Sequence, residues 1–221
     1  MEKLVIFDLD GTLLDTIDDI RNALNKALNN LGFNINYTKE EVTSFVGSGA
    51  TMLATRALKK FNISDEETIL KLKDEYNRLY AKSSSILTKP FDGIKEMLEK
   101  LKKENTKLVV FSNKPDSDTK SVINTYFDSN TFEIVRGQIE GIKVKPNPEG
   151  LIKILENYPC IDTNNIYYVG DSDVDMETGI NANLKVVAVT WGYRSEELLK
   201  SYNPYRIVNT VSELFNILKN N

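Results

Sequence analysis

Histidine is missing from all 221 residues of the chain. This absence excludes serine–histidine and cysteine–histidine hydrolysis, and it excludes a histidine-ligated zinc centre. Imidazole is the side chain most often used for acid and base chemistry near neutral pH. Any such chemistry in this protein therefore falls to carboxylates, lysine, tyrosine or the single thiol of Cys160.

Cysteine, long apolar runs and an excess of positive charge are also scarce. The lone Cys160 excludes an internal disulfide and is expected to serve as a small apolar residue in a reducing compartment. No apolar stretch is long enough to cross a bilayer and no signal peptide is recognised, so we expect a cytoplasmic protein. With 28 basic and 32 acidic residues, the formal charge of -4 provides no basic surface for nucleic acid or anionic membranes. Neither class of partner is expected.

The most informative stretch runs from Leu4 to Thr16 and reads LVIFDLDGTLLDT. Its apolar run is too short for an amphipathic helix and too continuous for a half-exposed strand, which predicts a strand buried on both faces. Asp8 and Asp10 follow at the carboxyl end of that strand, where open α/β sheets bind their ligands. Strand alternation sends both side chains the same way, and two carboxylates in one pocket favour a bound cation or a shared proton. A solvated turn is the alternative.

After Thr16 the sequence predicts four helices with no strand between them. Four consecutive helices do not continue a βαβ alternation, so we predict a helical cap domain, residues 16–87, inserted into an α/β core of residues 1–15 and 88–221. The serine-containing segment from Ser83 to Pro90 is a predicted hinge. The helical signals are the apolar spacing from Ile17 to Leu31, the capping-box pairs Thr38/Glu41 and Ser64/Glu67, and the break at Gly47-Ser48-Gly49.

From Phe91 onward, predicted strands alternate with predicted helices. This alternation implies right-handed crossovers and a Rossmann-like parallel sheet covered on both faces. The fold class is therefore α/β, a parallel-sheet core with an inserted helical cap. The predicted strands are 108–111, 132–135, 166–169, 185–190 and 205–208, and the predicted helices are 93–105, 117–127, 149–157, 176–182 and 211–218.

Four motifs in order resemble the haloacid dehalogenase superfamily, whose members are mostly Mg-dependent phosphohydrolases. They span almost the whole chain, and the strand-end motifs carry the chemical groups. The motifs are Asp8-x-Asp10-Gly11-Thr12-Leu13, Ser112-Asn113, Lys145-Pro146, and Gly170-Asp171-Ser172 with Asp175.

The positions of these groups, together with the resemblance, predict their roles. Asp8 is the predicted nucleophile, and Asp10 is the predicted general acid and base. The Mg²⁺ ligands are expected to be Asp8, the backbone carbonyl of Asp10 and Asp171, with Asp175 behind them, because oxygen ligands suit Mg²⁺. Lys145 would neutralise charge on the transferring phosphoryl group. Lys114 and Lys143 are weaker candidates for that role. Phosphate contacts are predicted for Thr12, Ser112 and Asn113, and Asp173 is predicted to be solvent-exposed.

Two further segments resemble the phosphoglycolate phosphatase subgroup: Phe45-Val46-Gly47 with Gly49 and Arg56, and Trp191-Gly192-Tyr193. Gly47, Ser48, Gly49 and Arg56 are the predicted substrate contacts of the cap. The Arg56 guanidinium suits a substrate carboxylate because it offers a bidentate contact. The alternatives are a helix–helix turn and an exposed helix arginine.

The predicted function is Mg²⁺-dependent hydrolysis of a small phosphorylated metabolite, with phosphoglycolate as a candidate substrate and a monomer or homodimer as the active form. Inorganic pyrophosphatase or nucleotidase activity on the same fold stays open. A phosphomutase is less favoured because the hinge histidine of that subgroup is missing. A module that keeps a phosphate on Asp8 as a switch is less favoured because Asp10 would discharge it.

Overall fold

The computed structural model describes residues 2–83 and 85–219 and divides into two compact units. One unit holds the chain up to Asp15 and from Pro90 onward, and the other is Thr16–Lys89. The first elements are β1 (Lys3–Phe7), β2 (Leu14–Asp15), α1 (Ile17–Asn30), α2 (Lys39–Phe45), α3 (Gly49–Leu58), α4 (Glu66–Ser83) and β3 (Lys89–Pro90). They are followed by α5 (Ile94–Lys103), β4 (Thr106–Pro115), α6 (Asp116–Tyr126), β5 (Ile134–Gln138), α7 (Glu149–Leu155), β6 (Ile166–Gly170), α8 (Asp173–Asn181), β7 (Lys185–Val189), α9 (Glu196–Ser201), β8 (Arg206–Val208) and α10 (Val211–Lys219).

A six-stranded sheet in the order β5-β4-β1-β6-β7-β8 forms the centre of the first unit, and its strand pairs are parallel. Strand β1 lies in the middle because its residues are apolar on both sides. Val5 and Phe7 pack in one cluster with α5 and α10, whereas Leu4 and Ile6 pack in another with α7. Burying both faces in this way is typical of parallel sheets and confirms the predicted α/β fold.

The register of the central strands brings their carboxyl ends to one edge. Phe7 of β1 lies opposite Val110 of β4 and Val169 of β6. The residues that follow Phe7 and Val169 in sequence therefore emerge side by side. This is why motifs more than 150 residues apart in the chain can share one site.

Several element boundaries differ from the sequence-based prediction. β5 begins at Ile134 rather than at residue 132, because Phe132 instead packs edge-on against Phe127 in the core. α8 begins at Asp173 rather than at residue 176, because Ser172 is its N-cap. The short helix α9, capped by the Ser195 side chain, was missed. Its six residues are too few to show a helical period.

The helical unit contains α1 to α4. The Thr38/Glu41 capping box is confirmed, with Glu41 Oε2 accepting from the Thr38 backbone amide at 2.9 Å. The Ser64/Glu67 box is wrong: Asp65 caps α4 instead, its Oδ1 accepting from Thr68 N at 2.9 Å. The Asp65 carboxylate, one residue after Ser64, binds a backbone amide of the first helical turn that has no partner within the helix.

The predicted hinge from Ser83 to Pro90 is tied to α1 at its far end. The buried Asp19 carboxylate accepts from the backbone amides of Leu87 and Thr88 and from the Thr88 hydroxyl. Lys89–Pro90 then forms β3, which pairs with β2. Ser84 lies outside the described residues. In the part of the chain that is described, no helix combines the length and apolarity needed to cross a bilayer.

Candidate active site

Three buried carboxylates meet at the carboxyl edge of the sheet. Asp8 follows β1, Asp171 follows β6, and Asp175 lies in the first turn of α8. One oxygen from each lies within 4.8 Å of the others. The sheet register brings the first two together, and the capped start of α8 brings in the third.

Lys145 places its ammonium group between two of these carboxylates. Its Nζ donates at 2.7 Å both to Asp8 Oδ1 and to Asp175 Oδ1, and its side chain is only 2% exposed. The Tyr168 hydroxyl at 3.1 Å and the Phe111 carbonyl at 3.3 Å complete its contacts. The cluster therefore contains three buried carboxylates and one buried ammonium group, which contacts two of them. The cluster has the charge and the oxygen atoms to accept a divalent cation.

Asp171 is held by groups from two distant segments. Thr12 Oγ1 donates to its Oδ1 at 2.9 Å, and the Tyr193 backbone amide donates to its Oδ2 at 2.7 Å. Trp191 Nε1 in turn donates to the Thr12 carbonyl at 3.1 Å. At Gly192 a Cβ would lie 2.3 Å from the Asp171 Cβ, so only glycine leaves room for this carboxylate. The Trp191-Gly192-Tyr193 segment thus orients Asp171, a role that the sequence did not indicate.

Asn113 holds the backbone of Lys145. Its Oδ1 accepts from the Lys145 amide at 2.8 Å and its Nδ2 donates to the Lys145 carbonyl at 3.0 Å. The neighbouring Ser112 Oγ accepts from the Lys114 amide at 3.2 Å. The predicted phosphate-contacting pair is therefore buried at this edge, and its amide fixes the loop that carries Lys145.

Asp10 lies beside a buried lysine. Lys114 Nζ is 2.8 Å from Asp10 Oδ2, with side-chain exposures of 5% for the lysine and 19% for the aspartate. From the sequence, Lys114 was only a weaker candidate for the charge-neutralising role predicted for Lys145. Asp173 was predicted to be solvent-exposed, but it is only 33% exposed and pairs with Arg194 Nε at 2.8 Å. Lys143, the other weaker candidate, is exposed.

Burial dominates the electrostatics of the carboxylate cluster. Burial first, and then the Asp175 charge, raise the pKa of Asp8 well above its usual value against the opposing effect of Lys145. The same two causes raise the pKa of Asp171 to about 7. Burial alone would lower the pKa of Lys145, but Asp175 and Asp8 outweigh it and hold that pKa well above the usual value. Without a cation, the cluster therefore favours an extra proton.

The predicted cap residues lie together in the helical unit. Arg56 of α3 donates through Nη1 to the Phe45 carbonyl at 2.6 Å and the Val46 carbonyl at 3.3 Å, and through Nη2 to Ser48 Oγ at 3.1 Å. Gly47 has a backbone φ of 107°, which residues other than glycine rarely adopt. The guanidinium thus braces the loop of residues 45–49. Substrate contact by Gly47, Ser48, Gly49 and Arg56 stays a prediction.

Comparison with known proteins shows that this chain is similar to hydrolases. The family model for haloacid dehalogenase-like hydrolases matches residues 5–189. A phosphoglycolate phosphatase from Aquifex aeolicus (strain VF5) is 32% identical over 99% of the chain and 97% of its own length. The phosphoglycolate phosphatase of Vibrio parahaemolyticus is 30% identical over 98% of the chain and 96% of its own length. A provisionally assigned phosphoglycolate phosphatase from Lactobacillus delbrueckii superposes with a TM-score of 0.92 at 29% identity, covering 99% of both chains.

Proposed function

The chain belongs to the haloacid dehalogenase-like hydrolase family, and from this premise we propose that it is a Mg²⁺-dependent phosphatase of small phosphate monoesters, with phosphoglycolate as the leading substrate. The observation that carries the proposal is the buried cluster of Asp8, Asp171 and Asp175, in which Lys145 pairs with Asp8 and Asp175. Family relatives named phosphoglycolate phosphatase support the substrate class. The proposed location is the cytoplasm.

The donor set fits a hard divalent cation. Three carboxylates with a single lysine leave uncompensated negative charge, and oxygen ligands are the ones that Mg²⁺ prefers. Asp8, Asp171 and the backbone carbonyl of Asp10 would hold the ion, with Asp175 behind them. When bound, the cation would screen the repulsion between a carboxylate and a phosphate.

The residues themselves supply two chemical steps. In the first, an Asp8 oxygen bonds to phosphorus, the bond to the leaving oxygen breaks, and Asp10 gives that oxygen a proton. In the second, Asp10 takes a proton from water, whose oxygen attacks the aspartyl-phosphate and releases inorganic phosphate. Lys145 would orient Asp8 and neutralise charge on the phosphoryl group. Asp8 is regenerated, so the cycle closes.

The remaining groups at this edge would bind and order the phosphate. The Ser112 hydroxyl is proposed to contact phosphate oxygens. Asn113 is proposed to have two roles. It would contact phosphate, as predicted from the sequence, and its two hydrogen bonds to the Lys145 backbone support a second role in holding Lys145 in place. For Thr12, the hydrogen bond to Asp171 supports a role in orienting a metal ligand.

A substrate panel tests the proposed function. We expect Mg²⁺-dependent release of phosphate from phosphoglycolate to exceed release from pyrophosphate, a nucleoside monophosphate and glucose 6-phosphate, and EDTA to abolish it. Faster turnover of pyrophosphate or the nucleotide would move the assignment to those activities. Conversion of glucose 1-phosphate to glucose 6-phosphate would indicate a mutase. An aspartyl-phosphate that forms but persists for hours would indicate a switch module.

The helical unit is proposed to recognise the rest of the substrate, because phosphate-binding groups cannot tell one ester from another. Arg56→Ala should raise KM for phosphoglycolate by about 10-fold or more, the loss expected for one hydrogen bond to a charged group, and leave KM for p-nitrophenyl phosphate nearly unchanged. The exposed Lys59, which directly follows the last residue of α3, is replaced by alanine as a matched control. Parallel losses on both substrates would show that Arg56 only maintains the fold of its loop.

A further inference from the structure

A buried lysine at the end of β4 has no role in the proposed chemistry so far. Lys114 is 5% exposed, and its ammonium group lies 2.8 Å from Asp10 Oδ2. Lysine is almost never buried to this degree unless it is paired. The pair joins the loop after β1 to the end of β4, two segments about 100 residues apart.

The backbone around Lys114 is fixed from several sides. Its amide donates to Ser112 Oγ at 3.2 Å, and its carbonyl accepts from Thr119 Oγ1 at 3.2 Å. Gly137 of β5 packs so closely that a Cβ there would lie 2.6 Å from the Lys114 carbonyl oxygen. The Gly137 amide also donates to Asp116 Oδ1 at 2.9 Å. The fold therefore fixes the backbone from which the Lys114 side chain reaches Asp10.

We propose that Lys114 is a positioning residue for Asp10: its ammonium group holds the Asp10 side chain by Oδ2, in the orientation from which the protonated carboxyl group gives the proton on its other oxygen to the leaving oxygen. This inference rests on the proposed function. Asp10 is the more exposed partner of the pair, and the buried Lys114 ammonium group lies directly against one of its two carboxylate oxygens. A misplacement of about 1 Å in a catalytic group can cost 10²-fold in rate, which is the scale of effect that one ion pair can control.

Leaving-group chemistry separates this role from the alternatives. Phenolate is a strong base, since a phenol of the tyrosine type has a pKa of about 10, and its departure benefits from a proton. p-Nitrophenolate is a much weaker base and departs without one. Both esters lack a carboxylate and have nearly the same shape. A residue that acts through Asp10 must therefore matter more for phenyl phosphate than for p-nitrophenyl phosphate.

The experiment measures kcat/KM in Mg²⁺ for both aryl esters and for phosphoglycolate, because this parameter reports the steps up to departure of the leaving group. Lys114→Met should lower kcat/KM for phenyl phosphate by about 10- to 100-fold. It should lower the value for p-nitrophenyl phosphate only a few-fold. Lys114→Arg should restore most of the loss. The exposed Lys153, replaced by methionine, is the control for removal of one positive charge.

A double-mutant cycle with Asp10→Asn provides the decisive comparison. If Lys114 acts through Asp10, adding Lys114→Met to Asp10→Asn should cost almost nothing further, whereas independent roles would give multiplicative losses. Thermal unfolding of every variant shows whether the fold is kept, and Lys114→Arg decides the matter if the methionine variant unfolds.

Three results would overturn the inference. Lys114 would only support the fold if Lys114→Met lowered kcat/KM equally for the two aryl esters and if its loss multiplied with that of Asp10→Asn in the double variant. A loss confined to phosphoglycolate would show that Lys114 binds the substrate carboxylate. A wild-type protein without activity on any of these esters would overturn the proposed function and this inference with it, whereas an active wild type with either of the first two patterns overturns the inference alone.

Discussion

Asp8→Asn should reduce the rate of phosphate release to background, a loss of more than about 10⁴-fold, as for other enzymes that lose their nucleophile. An amide oxygen is a poor nucleophile and cannot form the aspartyl-phosphate. The variant should still fold, because Lys145 keeps its contact with Asp175 at 2.7 Å. Loss of a buried carboxylate whose pKa is raised also removes an unfavourable charge from the cluster.

Two measurements check this expectation. Steady-state phosphate release compares wild type, Asp8→Asn and the exposed Asp92→Asn, which removes one carboxylate elsewhere in the same unit. Trapping with beryllium fluoride and Mg²⁺, which mimic a phosphoryl group on an aspartate, should give a complex with wild type and with Asp92→Asn only. Turnover by Asp8→Asn well above background would remove Asp8 from the role of nucleophile.

Lys145→Met is expected to have the largest effect on stability. It removes the ammonium group that pairs with Asp8 and Asp175, and breaking a buried ion pair from one side typically costs about 3–5 kcal/mol. Methionine fills a similar volume, so the loss measures the uncompensated carboxylates rather than a cavity. Activity should fall as well, because Asp8 loses its orienting contact.

The pH dependence of this loss has a defined sign. In the folded protein the pKa values of Asp8 and Asp171 are raised above those of the unfolded chain, and that of Asp171 reaches about 7. The folded protein therefore binds more protons than the unfolded chain. The stability that comes from this uptake is present below the unfolded pKa values and is lost as the pH rises through the folded ones. The cost of Lys145→Met should therefore be greatest near pH 8 and smaller near pH 5, where protonation neutralises the cluster.

Urea unfolding at the two pH values, with and without Mg²⁺, tests this prediction. Mg²⁺ at pH 8 should restore part of the lost stability, because a cation that binds only the folded protein stabilises it. Lys153→Met removes an exposed lysine of α7 and should change stability little at either pH. A cost for Lys145→Met that is independent of pH would show that the carboxylates are not charged in the folded protein.

Local patterns in the sequence predicted the elements whose signals lie within a few residues. The run from Leu4 to Phe7 predicted the central strand because only a strand buried on both faces tolerates continuous apolar residues. The Thr38/Glu41 pair predicted the start of α2. Predictions were wrong where two local signals competed, as for Asp65 against Ser64, and were absent for the short α9.

The sequence by itself determined the type of chemistry available at the site. The complete lack of histidine left carboxylates, lysine, tyrosine and one thiol for acid and base chemistry. Because parallel strands end at one edge, Asp8 and Asp171 had to meet there. Only the tertiary structure decided which polar groups pair there. Lys145 joins Asp8 to Asp175, Thr12 donates to Asp171, and Lys114 pairs with Asp10. These contacts link residues far apart in the chain, and their geometry depends on how whole loops pack over the strand ends, which periodicity and capping signals do not encode.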